Sequence, residues 1–446
     1  MSGCPHTPPT GPEPTDPART PHAEQPTERS AAKGVSRRGL LGRLGLVGAG
    51  ALVAGSGVAV AVAQRADAFG RDPVAGSDVV PFVDGTHQAG IATPSPSRLA
   101  LAAFDVVGDA GSLRSTLSRW TAAARAMCAG DQVPGSAGGE FAAPADTGEA
   151  VGTSASNLTI TVGYGPGLFS TRNGLAGKGP AHLAELPPLP HETLQPAYGG
   201  GAVVVQACTD DPQVAFHAVR NLSRIASGTL ALRWLQQGFG RTSSTTAGQA
   251  TERNLMGFKD GIRNVRAEDT ATADRWVWAG SESGQDWMTG GSFLVVRRIR
   301  MQLEQWDRDT LGDQEKVFGR TKAEGAPMGA AQEFDTPDFR ATGTDGKLII
   351  PLDSHIRLAA PENNGGMHIL RRGFSYTDAV DQRTLLLDSG LLFLAYMRDP
   401  AQFVQLQRVL GRSDALNEYV LHVGSAVFAC PRGLRTGEDW SSQLYG

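Results

Sequence analysis

Cysteine is scarce in this chain: Cys4, Cys128, Cys208 and Cys430 are the only thiols in 446 residues. They are too few and too scattered for a disulfide scaffold or a zinc finger. A basic surplus is also lacking. Forty-one Lys and Arg stand against 45 Asp and Glu, a net charge of −4. A protein that grips nucleic acid through its phosphates carries the opposite balance, so no nucleic-acid partner is expected. No P-loop, G-x-S-x-G elbow or H-E-x-x-H helix occurs, which removes common nucleotide, hydrolase and zinc-protease motifs. The run from Gly48 is no dinucleotide loop, because Val53 stands where the third glycine belongs. Glycine is plentiful, 56 residues, but has no G-X-Y period; it speaks for turns and long loops. With 40% hydrophobic and 19% charged residues the chain can bury a sizeable core.

Residues 1–33 hold 8 of the 27 prolines and almost no large apolar side chains. Such a stretch cannot bury enough surface to offset its chain entropy, and disorder is expected there. Ser36-Arg37-Arg38-Gly39-Leu40-Leu41 then opens a Gly/Ala/Val/Leu run reaching Ala63. Twin arginines before a mildly apolar, Gly/Ala-rich stretch form the pattern of a Tat export signal, assigned to residues 34–66. The other reading is a membrane anchor, since the run is long enough to span. Ala61-Val62-Ala63 offers an A-x-A cleavage site, with alternatives after Ala66 or Ala68. Tat export carries folded proteins, often already loaded with a cofactor, so an exported, cofactor-bearing protein is expected outside the cytoplasm. A mature chain from residue 67 would carry 34 basic and 41 acidic residues, a net −7, and three thiols. An odd count implies at least one free thiol. Cys208, which follows Ala202-Val-Val-Val205, reads as a buried apolar residue.

Within residues 67–446, Leu99–Val107 reads as a buried strand. Leu113, Leu117, Trp120, Ala124 and Met127 then recur on one helical face. A loop rich in small residues covers 129–156. Leu158–Val162 alternates as a strand that stops at Gly163-Tyr-Gly-Pro-Gly167, and an irregular excursion fills 171–199. Ala202–Gln206 is the next strand. Asp211-Pro212 caps and opens a helix, and Gly228–Gln237 returns as a strand. The order β-α-β-β-α-β is the ferredoxin-like unit. A similar series follows: strand Phe293–Ile299, helix Leu311–Phe318, strand Leu391–Met397, helix Gln402–Leu410 and strand Val423–Phe428. The fold class is therefore α+β, with two lobes at about 80–250 and 290–446. The loop-rich stretch 251–290 joins them, where a ligand would sit between lobes.

Three islands carry polar residues amid glycine and apolar neighbours. Met256-Gly-Phe-Lys-Asp260-Gly-Ile-Arg-Asn264 suggests a tight backbone path aiming a carboxylate; a surface turn is the plainer reading. Asp353-Ser-His355-Ile-Arg357 holds one histidine, either structural or a ligand. Met367-His-Ile-Leu-Arg371-Arg372-Gly-Phe-Ser-Tyr376 is either a site element or a basic strand end on the surface.

Taken together, these islands resemble the dye-decolorizing peroxidase family, in particular its exported branch that includes deferrochelatase/peroxidases. Gly257-Phe-Lys-Asp260-Gly261 is the family's G-x-x-D-G element. Further matches run in family order: His87-Gln-Ala-Gly-Ile91, Thr159-Ile-Thr-Val-Gly-Tyr-Gly165, Gly319-Arg-Thr-Lys322, Asp353-Ser-His355, Leu370-Arg-Arg-Gly-Phe-Ser-Tyr376, Gly390-Leu-Leu-Phe393, and Glu418-Tyr419 with His422-Val-Gly-Ser-Ala-Val-Phe428. Ile262 departs from the threonine common after the second glycine.

The resemblance implies two ferredoxin-like lobes in a dimeric α+β barrel arrangement, with one haem b per chain between antiparallel sheet and helices. It implies His355 as the axial iron ligand, Arg320 as the partner of a haem propionate, and Gly261 beside the cofactor. The other ring N–H of such a ligand is normally held by a carboxylate or carbonyl; Glu418 is the candidate, with Asp388 behind it. Asp260 would move the proton as hydrogen peroxide is cleaved, and Arg371 would stabilise the developing charge. Electrons would come from dyes, phenols or other small donors, with Trp276, Trp278, Trp287, Trp306, Tyr376 and Tyr396 as candidates for relaying them; core packing is the competing role for each. A deferrochelatase that releases iron from haem and a non-catalytic haem carrier are the other readings. An iron- or copper-trafficking partner and a homo-oligomer stay open.

Overall fold

A computed structural model of the protein describes residues 78–82, 86–135, 141–382 and 384–446. The expected disordered segment and export signal lie outside these residues. No helix among the described residues is long and apolar enough to cross a membrane.

The first lobe runs β1 (Arg98–Val106), α1 (Ala110–Cys128), β2 (Thr159–Tyr164), β3 (Val203–Thr209), α2 (Pro212–Ile225) and β4 (Leu230–Arg241). Its helices start where side chains can satisfy their first free N–H groups. Asp109 and Ser112 form a reciprocal capping box on α1. Asp211 accepts from the Gln213 N–H while Pro212 occupies the first turn of α2, where a missing N–H costs nothing. The predicted face of α1 is the buried one: Leu113, Leu117 and Trp120 pack with Leu222 of α2 and Phe104 of β1.

After α3 (Thr270–Trp276) the second lobe runs β5 (Ser292–Met301), α4 (Leu303–Trp306), α5 (Leu311–Phe318), α6 (His355–Ala359), β6 (Leu370–Arg371), β7 (Phe374–Val380), β8 (Leu387–Met397), α7 (Ala401–Ser413) and β9 (Val420–Cys430), with α8 (Trp440–Tyr445) closing the chain. Hydrogen bonding joins the strands in the order β5-β9-β2-β3-β1-β4-β7-β8-β6, and β5 also pairs β8. The first lobe thus has the ferredoxin-like order β4-β1-β3-β2, and the second repeats it as β9-β5-β8-β7. The two sheets meet at Tyr164↔Ala429 and at Phe239↔Ser375, closing a barrel of eight antiparallel strands.

Strand alternation then sorts side chains to two faces. Leu99, Leu101, Val204, Leu294, Leu392, Leu394 and Phe428 fill the inside, while Ala100, Ala102 and Phe104 meet the first-lobe helices outside. Cys208 is buried within the barrel as expected.

The expected elements are present, with longer strands than the sequence suggested. β2 runs on through Gly163 and Tyr164 because β3 offers partners to both. β7 was not anticipated. Pairing with β8, from Phe374↔Leu392 onward, holds it in the sheet. The 171–199 excursion also gains an anchor: its Glu192 bridges His422 of β9.

Candidate active site

A cavity opens on the outer face of the second-lobe sheet, under α6, α7 and the 254–263 loop. Its empty space, open mouth included, is about 1720 Å³. It is not a cleft between the lobes, as expected from the position of the 251–290 stretch. The first lobe contributes only Thr242 and Ser243, just past the end of β4. Ile299, Met301, Phe318, Leu391, Phe393 and Val420 give it apolar walls, and Asp260, Arg371, Arg320 and His355 all line it. The four expected site residues, spread over 112 positions from 260 to 371, therefore converge.

His355 opens α6. Its Nδ1–H donates to Asp414 Oδ2 at 2.6 Å, which leaves Nε2 without a hydrogen-bond partner among the described residues and able to act as a ligand. Asp414 is almost fully buried and its Oδ1 caps the following turn by accepting from Leu416 N–H at 2.9 Å. A backbone bond from Ala415 N–H to Asp353 O, 2.9 Å, holds the two segments in register. The carboxylate is thus Asp414, and the expectation of Glu418 or Asp388 is corrected. Glu418 is exposed and accepts from Gln305. Asp388 pairs with Arg298 at 2.9 Å. Burial disfavours a charged His355 ring, but the charge and hydrogen bond of Asp414, helped by Asp260, overcome it and raise the pKa. The side chain sits deep in the protein yet keeps 28% exposure, because it lines the cavity.

Asp260 sits in a small loop folded around Asn254, whose Oδ1 accepts from Met256 and Phe258 N–H groups. Asp260 N–H donates to Glu252 O at 3.1 Å. The loop needs its glycines. Gly257 and Gly261 have φ of +83° and +76°, and a Cβ on Gly261 would lie 2.8 Å from Ser243 Cα. Phe258 anchors the loop from below, stacked on Phe318 at 4.2 Å. Asp260 Oδ1 accepts from Arg371 Nη1 at 2.8 Å, and both side chains keep partial access to solvent, 19% and 25%. Neither residue sits in a solvated surface turn. Arg372, its neighbour, points away and is wholly buried, donating to Thr93 O at 2.5 Å. Strand alternation sends the two neighbouring side chains to opposite faces.

Arg320 is buried, and Nη1 donates to the carbonyls of Gly325 (2.6 Å) and Glu333 (3.2 Å). No carboxylate among the described residues forms a salt bridge with it. Burial, then repulsion from Arg263 and Arg371, lowers its pKa to about 10, against a weaker pull from Glu333; it stays charged at neutral pH. The other rim cations are paired, Lys259 with Glu333 and Arg263 with Glu362. A buried cation with no salt-bridge partner among the described residues has room for an anion. With an apolar slot and a free imidazole nitrogen beside it, the donor set fits a flat, carboxylate-bearing macrocycle such as haem b.

Sequence reasoning missed Asp414, whose only signal was that it precedes Glu418 by four residues on the same turn. It also left Asn264 without a role. Of the candidate aromatic relays, Trp278, Trp287, Trp306, Tyr376 and Tyr396 are buried. Trp306 packs on Tyr419 at 5.0 Å and on Phe318 at 5.7 Å, and Phe318 meets the His355 ring at 6.2 Å.

Comparison with known proteins identifies the family. Residues 88–240 match the family model of the Dyp-type peroxidase N-terminal region, and residues 251–435 that of the C-terminal region. The chain is 36% identical over 420 residues to a deferrochelatase of Yersinia pseudotuberculosis, covering 92% of this chain and 94% of that protein. It is 37% identical to a dye-decolorizing peroxidase of Thermobifida fusca, with 93% and 99% covered. Among solved structures, a DyP-type peroxidase from Streptomyces coelicolor superposes with a TM-score of 0.76 at 38% identity, over 84% of this chain and all of that one. One from Cellulomonas bogoriensis gives 0.73 at 41%, over 82% and 98%. The chain belongs to the Dyp-type peroxidase family and is a haem peroxidase.

Proposed function

We propose that the second-lobe cavity binds one haem b and that Asp260 and Arg371 carry out peroxide cleavage there. One observation carries the reading: the Asp260–Arg371 pair and the Asp414-tethered His355 line the same apolar cavity. His355 Nε2 would ligate the iron, with Asp414 holding the proton on Nδ1 and so fixing the ligating tautomer. Arg320 would meet a propionate, which supplies the salt-bridge partner it lacks among the described residues. Gly261 would keep the Asp260 loop clear of a side chain. Bound haem supplies the iron centre at which peroxide is reduced and electrons from donors are accepted.

The protein's own task is proton and charge management. The Asp260 carboxylate takes the proton of the incoming peroxide and returns it to the departing oxygen, so that water leaves. Arg371 stabilises, through its guanidinium, the negative charge that builds on that oxygen. The carboxylate must be ionised to begin the cycle. The 2.8 Å bond from Arg371 Nη1 orients it. Dyes and other bulky donors would be oxidised from outside the cavity.

His355→Ala tests the cofactor assignment: it should abolish or greatly weaken haem retention, and an unchanged haem spectrum would sink it. The deferrochelatase reading is favoured by relatives of that name. Anaerobic incubation of the loaded protein followed by mass analysis of the pigment separates the two. Free protoporphyrin indicates the chelatase, whereas unchanged haem with peroxide-dependent dye bleaching indicates the peroxidase. We also propose export by the Tat pathway, supported by Arg37-Arg38 and the apolar run after them.

A further inference from the structure

We propose that Asn264 is a positioning residue for the peroxide reaction, its side-chain amide clamping the backbone of Arg371 and so setting the guanidinium against the Asp260 carboxylate. The inference rests on the roles proposed above for that pair.

β6 is two residues long and has a strand, β8, on one side only. Arg372 N–H donates toward β8, to Leu394 O at 2.8 Å. Successive residues of a strand direct their N–H and C=O groups to opposite sides, so those of Arg371 face away from β8, where no strand of the described residues runs. Asn264 takes that place. Its Oδ1 accepts from Arg371 N–H at 2.7 Å and its Nδ2 donates to Arg371 O at 2.8 Å. A second bond from Nδ2 reaches Ser244 O at 2.9 Å. Both N–H bonds and the carbonyl of the primary amide are in use, and the group mimics one peptide of an absent neighbouring strand.

The clamp belongs to the Asp260 loop. Asn264 stands four residues after Asp260, and its backbone N–H closes the turn on Gly261 O at 3.0 Å. Asp260 and Arg371 are therefore connected twice. One link is the direct ion pair; the other runs from the Asp260 turn through the Asn264 amide to the Arg371 backbone. The guanidinium lies at the end of a long flexible stem, and its direction depends on where that stem is rooted. No other side chain of similar size does the same work. Aspartate lacks the two donors, serine is too short to meet both Arg371 groups, and glutamine displaces the amide by a methylene.

The test uses the haem-loaded protein with two readouts. The dissociation constant for fluoride, from absorbance, probes the Arg371 donor without turnover. The second-order rate with peroxide, by stopped flow, probes the reaction. Asn264→Ala should weaken fluoride binding and slow the peroxide step by roughly 10–100-fold, the scale of an ångström-level misplacement, with the haem content per chain unchanged. In an Arg371→Leu background the same change should alter either readout by less than about twofold, because a residue acting through Arg371 has nothing left to act on. Should Asn264→Ala not fold, Asn264→Asp carries the comparison, with an expected loss of roughly tenfold from the missing donors. The proposal is overturned if these variants match wild type, or if their losses multiply with those of Arg371→Leu. If Arg371→Leu is itself silent, the reading of the Asp260–Arg371 pair fails and the clamp has no function to serve; if it is impaired and Asn264→Ala is not, only the clamp fails.

Discussion

Replacing Asp414 by asparagine isolates what the buried carboxylate does for His355. Both Asp414 oxygens accept bonds, one from His355 Nδ1 at 2.6 Å and one from Leu416 N–H at 2.9 Å. A carboxylate can serve two donors, but an amide offers one oxygen and one NH2. If the amide oxygen keeps the cap on Leu416, its NH2 faces Nδ1. The imidazole must then move its proton to Nε2, the nitrogen needed for the iron. If the amide flips to suit Nδ1, two donors collide at the Leu416 N–H. Either arrangement leaves a buried donor unmet, at about 1–3 kcal/mol. Loss of such an outer partner costs roughly 10–100-fold in metal affinity, which corresponds to about 1.4–2.7 kcal/mol, so the two routes agree. The assay is the rate of haem transfer from the loaded protein to an excess of a tighter haem-binding acceptor, followed in the Soret region. Asp414→Asn should speed transfer within that range while Glu418→Gln leaves it unchanged. A wild-type transfer rate for Asp414→Asn, with loosening in Glu418→Gln or Asp388→Asn, would falsify the assignment.

Other outcomes follow from the same geometry. Asp260→Ala should lose the acidic limb of the pH–rate profile for the peroxide step, while Arg371→Leu should keep its shape at a lower rate; stopped flow showing the reverse means that the roles are exchanged. The expected losses, about 10²–10⁴-fold for a base and 10²–10³-fold for a charge stabiliser, overlap, so shape rather than size decides. Gly261→Ala forces a side chain into a left-handed turn and against Ser243; it should cost at least about 1–3 kcal/mol, read as a lower urea midpoint, and an unchanged midpoint would show the loop to be looser than described. His422 is buried, and burial, then Arg297 and His191, hold its pKa at about 3 against 6.5 for a free side chain. The unfolded chain then binds a proton that the folded one refuses, and stability falls as pH drops from 6.5 toward 3, by at most about 5 kcal/mol. Urea titrations at pH 7 and 4.5 should show a smaller drop for His422→Gln, and an equal drop argues against a neutral buried ring. Changing Arg37 and Arg38 to lysine should trap the precursor in the cytoplasm; continued export means another route reads the signal.

Several features of this protein are local, and the sequence alone determined them. The start of α2 rests on Asp211 and Pro212, which act within one turn. The buried face of α1 is written in the spacing of Leu113, Leu117 and Trp120. α5 falls on Leu311–Phe318 as expected. The G-x-x-D-G loop is local too: its left-handed turns admit little besides glycine, so the residues that shape it also mark it. These signals placed Asp260, Arg320, His355 and Arg371 as one set through their resemblance to a family.

What only the tertiary structure decided depends on pairs far apart in the chain. Barrel closure rests on Tyr164↔Ala429 and Phe239↔Ser375, and no local pattern specifies which edges meet. β7 takes its place in the sheet through pairing with β8, from Phe374↔Leu392 onward. Asp414 lies 59 residues from His355, and Glu418, on the same turn, has the same chemistry; only packing turns one inward and leaves the other in water. Asn264 and Arg371 are 107 residues apart, and the clamp exists because β6 is an edge strand whose outer backbone groups need a partner. Residue types were enough to name the groups able to do the chemistry, but pairing them required the fold, because hydrogen bonds act over about 3 Å and the sequence does not record such distances.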